Sequence, residues 1–139
     1  MKIREFQGLR PSEDKVEKVA SLPYDVVSTE EARALAHDNP FSFLHVVRAE
    51  IDLAPGADQY AQDCYDKALE NLEKLKDKKA LVRESEPCMY AYRQEMNGHA
   101  QIGITAVCHV DDYENDIIKK HEKTRPQKEN DRLKLNTTL

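Results

Sequence analysis

The clearest hydrophobic pattern in this chain lies between residues 58 and 78. Apolar positions recur there at intervals of three and four residues, the spacing that places side chains on one face of an α-helix. They are Tyr60, Ala61, Cys64, Tyr65, Ala68, Leu69, Leu72 and Leu75. The pattern predicts a long helix over about 58–78 whose apolar stripe lies in the hydrophobic core.

Two runs of alternating residues around Asn97-Gly98 predict a β-hairpin over 88–110. A two-residue turn would place Tyr92 on the face opposite to Ile102 and Ile104. A three-residue loop that starts one residue earlier would shift the register, so that these three side chains share one face. We favour the three-residue loop because it alone gives the hairpin an apolar side.

Several shorter elements are predicted as well. Ser28 and Glu31 have the spacing of a capping box, which begins a helix. The run 41–47 is rich in aromatic and β-branched residues and predicts a strand. Within it, His45 is predicted to be a buried, hydrogen-bonded side chain rather than a metal ligand. The other predicted elements are an extended arm at 2–9, a short helix after Ser12, a brief strand at 26–27 and a short helix capped by Asp111.

Together these elements predict an α+β fold, with a small mixed or antiparallel sheet that contains the hairpin and is packed by several helices. A length of 139 residues fits a single domain with its own core. The net charge of −5 and the few aromatic residues argue against a general nucleic-acid binder, since such domains are usually basic. A local basic patch remains compatible with this composition.

The three cysteines, Cys64, Cys88 and Cys108, form neither a Cys-x-x-Cys pair nor an even set. Each has apolar neighbours, so we predict that all three are reduced and largely buried, in a reducing cytoplasm. The N-terminus has no apolar segment typical of a signal peptide, and no run approaches the ~20 apolar residues of a membrane span. We therefore expect no membrane partner.

The candidate chemistry is concentrated in the charged segment 117–132. Two isoleucines are followed there by a dense mixture of Lys, Arg, His and Glu, and Pro126 interrupts any continuous helix. A fixed loop with such cations can hold a phosphate or carboxylate through charge-assisted hydrogen bonds. The predicted anion-binding residues are Lys120, His121, Arg125 and Arg132, and the candidate general bases are Glu122 and Glu129.

No metal site is predicted in this segment. His121-Glu122 lacks the second histidine of a zinc-protease signature, because Arg125 stands four residues after His121. The same density of charge is also typical of a solvated helix face that binds nothing, and that alternative stays open.

Several short motifs of the sequence occur together in a known bacterial family. They are Gly8-Leu9-Arg10-Pro11, Leu22-Pro23-Tyr24-Asp25-Val26-Val27-Ser28, Asn39-Pro40-Phe41-Ser42-Phe43-Leu44-His45-Val46, Tyr113-Glu114-Asn115, Lys119-Lys120-His121-Glu122, Thr124-Arg125-Pro126 and Lys128-Glu129-Asn130-Asp131-Arg132. Across essentially the whole chain they resemble the start of the family known as domain of unknown function 1015. Each motif is weakly specific alone, and the combination is specific.

That resemblance implies a relationship to the ParB and sulfiredoxin group, whose fold serves chromosome-partition proteins, sulfiredoxin and a free-serine kinase. Members of the family have about 400 residues, well above the usual size of one domain. The resemblance therefore implies that this chain is the N-terminal portion of a longer protein. It also implies that a phosphate-type motif, Asp-Gly-His-His-Arg, lies beyond Leu139 in the longer members.

Three hypotheses for the function follow. The first is binding of a nucleotide or of a small phosphorylated or carboxylated metabolite. In the longer protein this would extend to phosphoryl transfer with a nucleotide and Mg²⁺, because that reaction depends mainly on positioning and charge stabilisation. The second is a ParB-like module for DNA or a protein partner, which the acidic net charge disfavours. The third is a scaffold domain without catalysis. The substrate and the oligomeric state stay open.

Overall fold

The computed structural model describes residues 1–119 and 125–139 and confirms an α+β fold. In chain order the strands are β1 Ile3–Arg4, β2 Leu9–Pro11, β3 Leu81–Arg83, β4 Tyr90–Met96, β5 His99–Thr105 and β6 Val107–Cys108. The helices are α1 Val16–Val19, α2 Thr29–Ala36, α3 Leu44–Val47, a 3₁₀ helix Ala49–Asp52, α4 Gln62–Asp77, α5 Val110–Glu114 and α6 Pro126–Thr138.

The chain divides into two compact units. Unit 1 comprises Met1–Arg10 and Arg83–Lys123, and unit 2 comprises Pro11–Val82 and Thr124–Leu139. The division falls inside β2 and β3. Unit 2 therefore holds most of the helices, and unit 1 holds the hairpin of β4 and β5.

The core of unit 2 is built around α4. On the predicted apolar stripe, Cys64, Tyr65, Ala68, Leu72 and Leu75 are all buried. Two clusters of this core are defined among the described residues. The first contains Ala49, Cys64, Tyr65, Ala68 and Leu135, and the second contains Val27, Ala32, Ala36, Leu44 and Ile51. The long helix with a core-facing stripe is confirmed, and it begins at Gln62.

The predicted capping box begins α2. Ser28 Oγ accepts a hydrogen bond from the Glu31 backbone N–H at 3.2 Å, and Glu31 Oε2 accepts one from the Ser28 N–H at 2.8 Å. The first turn of a helix leaves such N–H groups without intrahelical partners, so the two side chains satisfy them. The hydrogen bond from the Ser28 N–H favours the carboxylate and lowers the pKa of Glu31.

The strand predicted at 41–47 is wrong, because α3 and the 3₁₀ helix occupy this region. Asn39 begins a turn there: its carbonyl accepts from the Ser42 N–H, and its side chain accepts from the Phe41 N–H. Local hydrogen bonds of this kind compete with strand formation. Burial of Leu44 in the second cluster then outweighs the β propensity of the segment, which depends strongly on context.

Paired strands make up unit 1. β4 pairs with β5, and β1 pairs with β6, both antiparallel. Tyr90 joins the N-terminal arm to the hairpin, since its hydroxyl donates to the Phe6 carbonyl at 3.2 Å and accepts from the Gly8 N–H at 2.6 Å. The Lys2 N–H donates to the buried carboxylate of Asp112 at 2.6 Å. The contacts of Tyr90 hold the arm against the base of the hairpin, and the contact of Asp112 joins the start of the arm to α5.

The three-residue hairpin loop is also wrong. Met96 pairs with His99, which leaves Asn97-Gly98 as a two-residue turn. Both turn residues have positive φ, 53° and 77°, as a type I′ turn requires. The prediction relied on one buried face, but the residues of β4 and β5 beyond Tyr90 are exposed on both faces. The turn geometry therefore decides the register.

Two smaller predictions fail for local reasons. Residues 26–27 form a bend, and Val27 packs into the second cluster instead of joining a strand. His109 rather than Asp111 caps α5, because His109 Nδ1 accepts a hydrogen bond from the Asp111 backbone N–H at 3.3 Å.

The three cysteines are free thiols, as predicted, but they differ in exposure. Cys64 is buried, Cys88 is half-buried and Cys108 is exposed. The prediction that all three are largely buried is therefore wrong for Cys108, which lies in a strand whose two residues are both exposed. In the part of the chain that the structure describes, no helix has the length and apolar character to cross a membrane.

Replacement of Ser28 by alanine would remove the acceptor for the Glu31 N–H. We expect the free energy of unfolding to fall by about 1 kcal/mol, the usual cost of losing an N-cap side chain. Urea denaturation followed by circular dichroism measures this change. Ser21→Ala is the control, since Ser21 is exposed and outside any helix. Equal effects of the two substitutions would contradict the capping role.

Candidate functional site

Three charged side chains of unit 2 are buried among the described residues: Arg48, Glu50 and Asp131, with 8%, 4% and 7% of their surface exposed. Burial of a charge costs free energy unless the charge is paired and hydrogen-bonded. A chain of this size seldom buries several charges, and such clusters are enriched at functional sites. We therefore treat the surroundings of these residues as the candidate site.

Arg48 and Glu50 form the first buried pair. Arg48 Nε lies 2.8 Å from Glu50 Oε1, in a geometry that makes an ion pair without a directed hydrogen bond. Arg48 Nη2 donates to Thr29 Oγ1 at 2.8 Å, and that hydroxyl donates to Glu50 Oε1 at 3.3 Å. Arg48 Nη1 also reaches the Tyr24 carbonyl at 3.4 Å. The start of α2, the Tyr24 loop and the 3₁₀ helix are thus joined through one guanidinium.

Asp131 on α6 is held by two partners. The Tyr65 hydroxyl donates to Asp131 Oδ1 at 2.9 Å, and Arg132 donates to Oδ2 through Nε and Nη2 at 3.0 and 2.5 Å. Burial, together with the hydrogen bond to Asp131, raises the pKa of Tyr65 to about 12. The phenol therefore stays protonated at neutral pH and acts here as a hydrogen-bond donor to a carboxylate.

Cys64 stands beside the first pair, with Sγ 3.9 Å from Glu50 Oε2. Burial raises the pKa of the Cys64 thiol to about 11, and the negative charge of Glu50 is a further cause of this shift. Because the thiolate is the nucleophile, a thiol with this pKa is unreactive at neutral pH. Cys64 is therefore a structural neighbour of the site and not a candidate nucleophile.

The Arg48–Glu50 ion pair and the hydrogen-bonded Tyr65 and Asp131 border one small cavity of about 20 Å³, which has room for about one water molecule. Glu50, Tyr65 and Asp131 are among the residues of its wall. At its edge two cations stand over the Tyr24 ring, with Arg132 Cζ 4.0 Å and Lys128 Nζ 5.7 Å from the ring centroid. The wall of the cavity thus contains the buried carboxylates of Glu50 and Asp131, and its edge carries two cations next to the Tyr24 ring.

The structure brings together only part of the set predicted from the sequence. Arg132 borders the cavity, whereas Arg125 is exposed at the N-cap of α6 and does not line it. Glu129 is exposed on the first turn of α6, where its backbone N–H donates to the Arg125 carbonyl at 2.9 Å. Lys120, His121 and Glu122 lie outside the described residues.

The sequence analysis did not identify Arg48, Glu50, Asp131, Tyr65 or Lys128. For Tyr65 and Asp131 the sequence carried no signal, because one belongs to an apolar helical stripe and the other was one charge among many. The signal for Arg48 was stronger. Arg48 and Glu50 flank Ala49 directly after a run of apolar residues, which is an unusual position for two opposite charges.

Comparison with known proteins gives one family. A model of the family described as Protein of unknown function (DUF1015) matches residues 3–139. The chain belongs to this family. The match covers both units and all of the residues that line the cavity. Comparisons with curated proteins and with solved structures found no match. Within residues 1–119 and 125–139, no group of three or more His, Cys, Asp or Glu side chains is arranged to hold a metal ion.

Replacement of Tyr65 by phenylalanine would remove the hydrogen bond to Asp131. We expect a loss of about 1–2 kcal/mol in the free energy of unfolding at pH 7, because a buried carboxylate loses one donor. The exposed Tyr92→Phe is the control, and urea denaturation is the measurement.

The raised pKa of Tyr65 predicts that the free energy of unfolding depends on pH. This pKa is raised in the folded state, so the contribution of the phenol to stability is complete below the unfolded pKa of about 10 and is lost as the pH rises towards 12. Ultraviolet absorbance measures this ionisation, with Tyr90, whose pKa is also raised, as the second late tyrosine. Tyr65→Phe should lose one late ionisation step relative to the wild type, and an unchanged number of late steps would contradict the assignment.

The thiols should differ in reactivity because they differ in exposure and because burial raises the pKa of Cys64. We expect a thiol reagent at pH 8 to label Cys108 first, Cys88 more slowly and Cys64 only after unfolding. Mass spectrometry of peptides at successive times measures the order. Labelling of Cys64 in the native protein at the rate of Cys108 would show that the site is open to solvent.

Proposed function

We propose that this chain binds a small anionic ligand, either a nucleotide or a small phosphorylated or carboxylated metabolite, at the cationic edge of the cavity. The observation that carries the proposal is the placement of Arg132 and Lys128 over the Tyr24 ring. Two cations one helical turn apart on an aromatic support form a surface suited to a phosphate or carboxylate.

The chemistry of Arg132 supports this proposal. Asp131 accepts two hydrogen bonds from the guanidinium, which carries more N–H donors than these two. Asp131 and the Tyr24 ring also restrict the orientation of the guanidinium, so less conformational entropy is lost when a ligand binds. A planar, oriented guanidinium can bind an anion through two parallel hydrogen bonds.

The start of α6 adds a second favourable field. Pro126 occupies the first turn, and the Arg125 side chain at the N-cap makes no capping hydrogen bond, so the N–H groups and the positive end of the helix dipole favour an anion nearby. Arg125, Lys128 and Arg132 follow one another at three- and four-residue spacing and share a face of the chain. Lys120 and His121 remain part of the proposed set on the grounds of the sequence alone.

In a longer cytoplasmic protein, of which this chain would be the N-terminal portion, we propose that the same site serves phosphoryl transfer. A nucleotide would arrive with Mg²⁺, and Glu122 and Glu129 are the candidate bases. Catalysis of such a reaction depends mainly on the positioning of the reacting groups and on compensation of the negative charge of the phosphates. The residues of α6 supply the positive charge, and Tyr24 and Asp131 hold Arg132 in one orientation.

The test is binding of Mg²⁺-ATP, ADP and pyrophosphate, measured by calorimetry and by thermal shift. We expect Arg132→Lys and Arg125→Lys each to weaken binding by about tenfold or more, because lysine cannot reproduce a two-point guanidinium contact. Arg93→Lys, the same change on the exposed hairpin, is the control. If all three variants bind as the wild type does, the charged segment is a solvated face and the proposal fails.

A further inference from the structure

A second cleft of unit 2, separate from the cavity at α6, lies between α4 and the segment around Pro40. Its volume is about 340 Å³, within the range of small-molecule sites. Three lysines line it, Lys67 and Lys74 of α4 and Lys78 at its C-cap, and Asp52 is the one carboxylate among the described residues of the wall. In a chain with a net charge of −5, such a local excess of positive charge is a distinct feature.

Apart from Asp63 and Lys76, the charges of α4 and of its C-cap residue fall into two stripes. Lys67, Asn71, Lys74 and Lys78 follow one another at spacings of four, three and four residues, which places them on one helix face. Each residue of this basic stripe is directly preceded in the sequence by an acidic residue, and these acidic residues form the neighbouring stripe: Asp66, Glu70, Glu73 and Asp77. The basic stripe lines the cleft, and no residue of the acidic stripe belongs to the wall.

The carboxylate of Asp52 is held in place by hydrogen-bonded neighbours within the wall. Asp52 Oδ2 lies 2.9 Å from His45 Nδ1 and accepts a hydrogen bond from Asn71 Nδ2 at 2.8 Å. The other ring nitrogen of His45 lies 3.1 Å from the Asn39 carbonyl, so the predicted hydrogen bonding of this histidine is present, whereas its side chain is half-buried and not buried as predicted. Asn71 is buried and also donates to the His45 carbonyl at 2.8 Å. Three lysines against this one fixed carboxylate leave an excess of positive charge in the described wall of the cleft.

The lysines keep their freedom to turn towards a ligand. Lys67 and Lys74 both pair with Glu70, at 2.7 and 2.5 Å. Their hydrogen bonds lower the pKa of Glu70 to about 2. Glu70 is exposed, and exposed pairs of this kind contribute little, so a ligand with several negative charges can compete for both ammonium groups. Lys78 Nζ stands 5.6 Å from the centroid of the Phe41 ring, at the other end of the stripe.

We infer that this cleft binds a small molecule carrying a phosphate or pyrophosphate group. Lys67, Lys74 and Lys78 supply the cations, and the hydrogen-bonded group of His45, Asp52 and Asn71 forms a fixed polar wall beside them. The site uses none of the residues proposed for anion binding on α6, so its occupation is independent of that function.

The test uses inorganic pyrophosphate as the probe, with the whole chain at low and at physiological salt. We expect saturable binding in calorimetry, and we expect Lys74→Gln and Lys78→Gln each to weaken it about tenfold, since each removes one charge-assisted contact. Lys76→Gln is the matched control, because it removes the same charge from the same helix outside the wall of the cleft. Citrate in place of pyrophosphate distinguishes a phosphate site from a general polyanion site. Circular dichroism establishes that the variants are folded.

Three outcomes would overturn the inference. They are the absence of saturable pyrophosphate binding, equal weakening by Lys76→Gln and Lys74→Gln, and binding of citrate as tight as that of pyrophosphate. Arg132→Lys separates this site from the one on α6. If it abolishes pyrophosphate binding while Lys74→Gln leaves it unchanged, the anion binds at α6 and the cleft is not a site.

Discussion

The ion pair between Arg48 and Glu50 is the interaction on which the organisation of unit 2 depends. Both side chains are buried, and two charges removed from water are tolerated only when their geometry and hydrogen bonds are nearly complete. Thr29 and the Tyr24 carbonyl complete the contacts of Arg48, and Arg33 reaches the Glu50 carbonyl at 3.4 Å. Loss of one partner would leave the other charge unpaired, which usually costs about 3–5 kcal/mol.

The contact between Tyr65 and Asp131 connects α6 to this core. It joins residues 66 positions apart in the sequence and holds Asp131 beside the cavity. A buried ion pair is weak evidence for stability, because apolar residues of similar volume often stabilise a core equally well. A buried ion pair and a buried hydrogen-bonded carboxylate around one cavity form the kind of cluster that is enriched at functional sites.

Only some residues of the candidate site could be predicted from the sequence, because the others are brought to the cavity by contacts between distant segments. Arg125, Glu129 and Arg132 were identifiable because they belong to a dense charged segment. Arg132 reaches the cavity because α6 presents it to Tyr24, whereas Arg125 stays at the exposed helix start. Glu50 lies far from that segment in sequence, and nothing local indicates that the two regions meet. A strand at 41–47 would also have given no reason for the burial of the charges that follow it.

Local physical chemistry accounts for what the sequence by itself determined. The capping box of Ser28 and the periodicity of α4 each depend on residues close together in the chain, so their signals are complete within one segment. Tertiary structure decided the rest. Residues 41–47 became helical because burial of Leu44 outweighs β propensity, and the hairpin kept its two-residue turn because neither face beyond Tyr90 is buried. The partners of Arg48 and Asp131 come from distant segments, and only the folded chain brings those charges close enough to compensate for their loss of water.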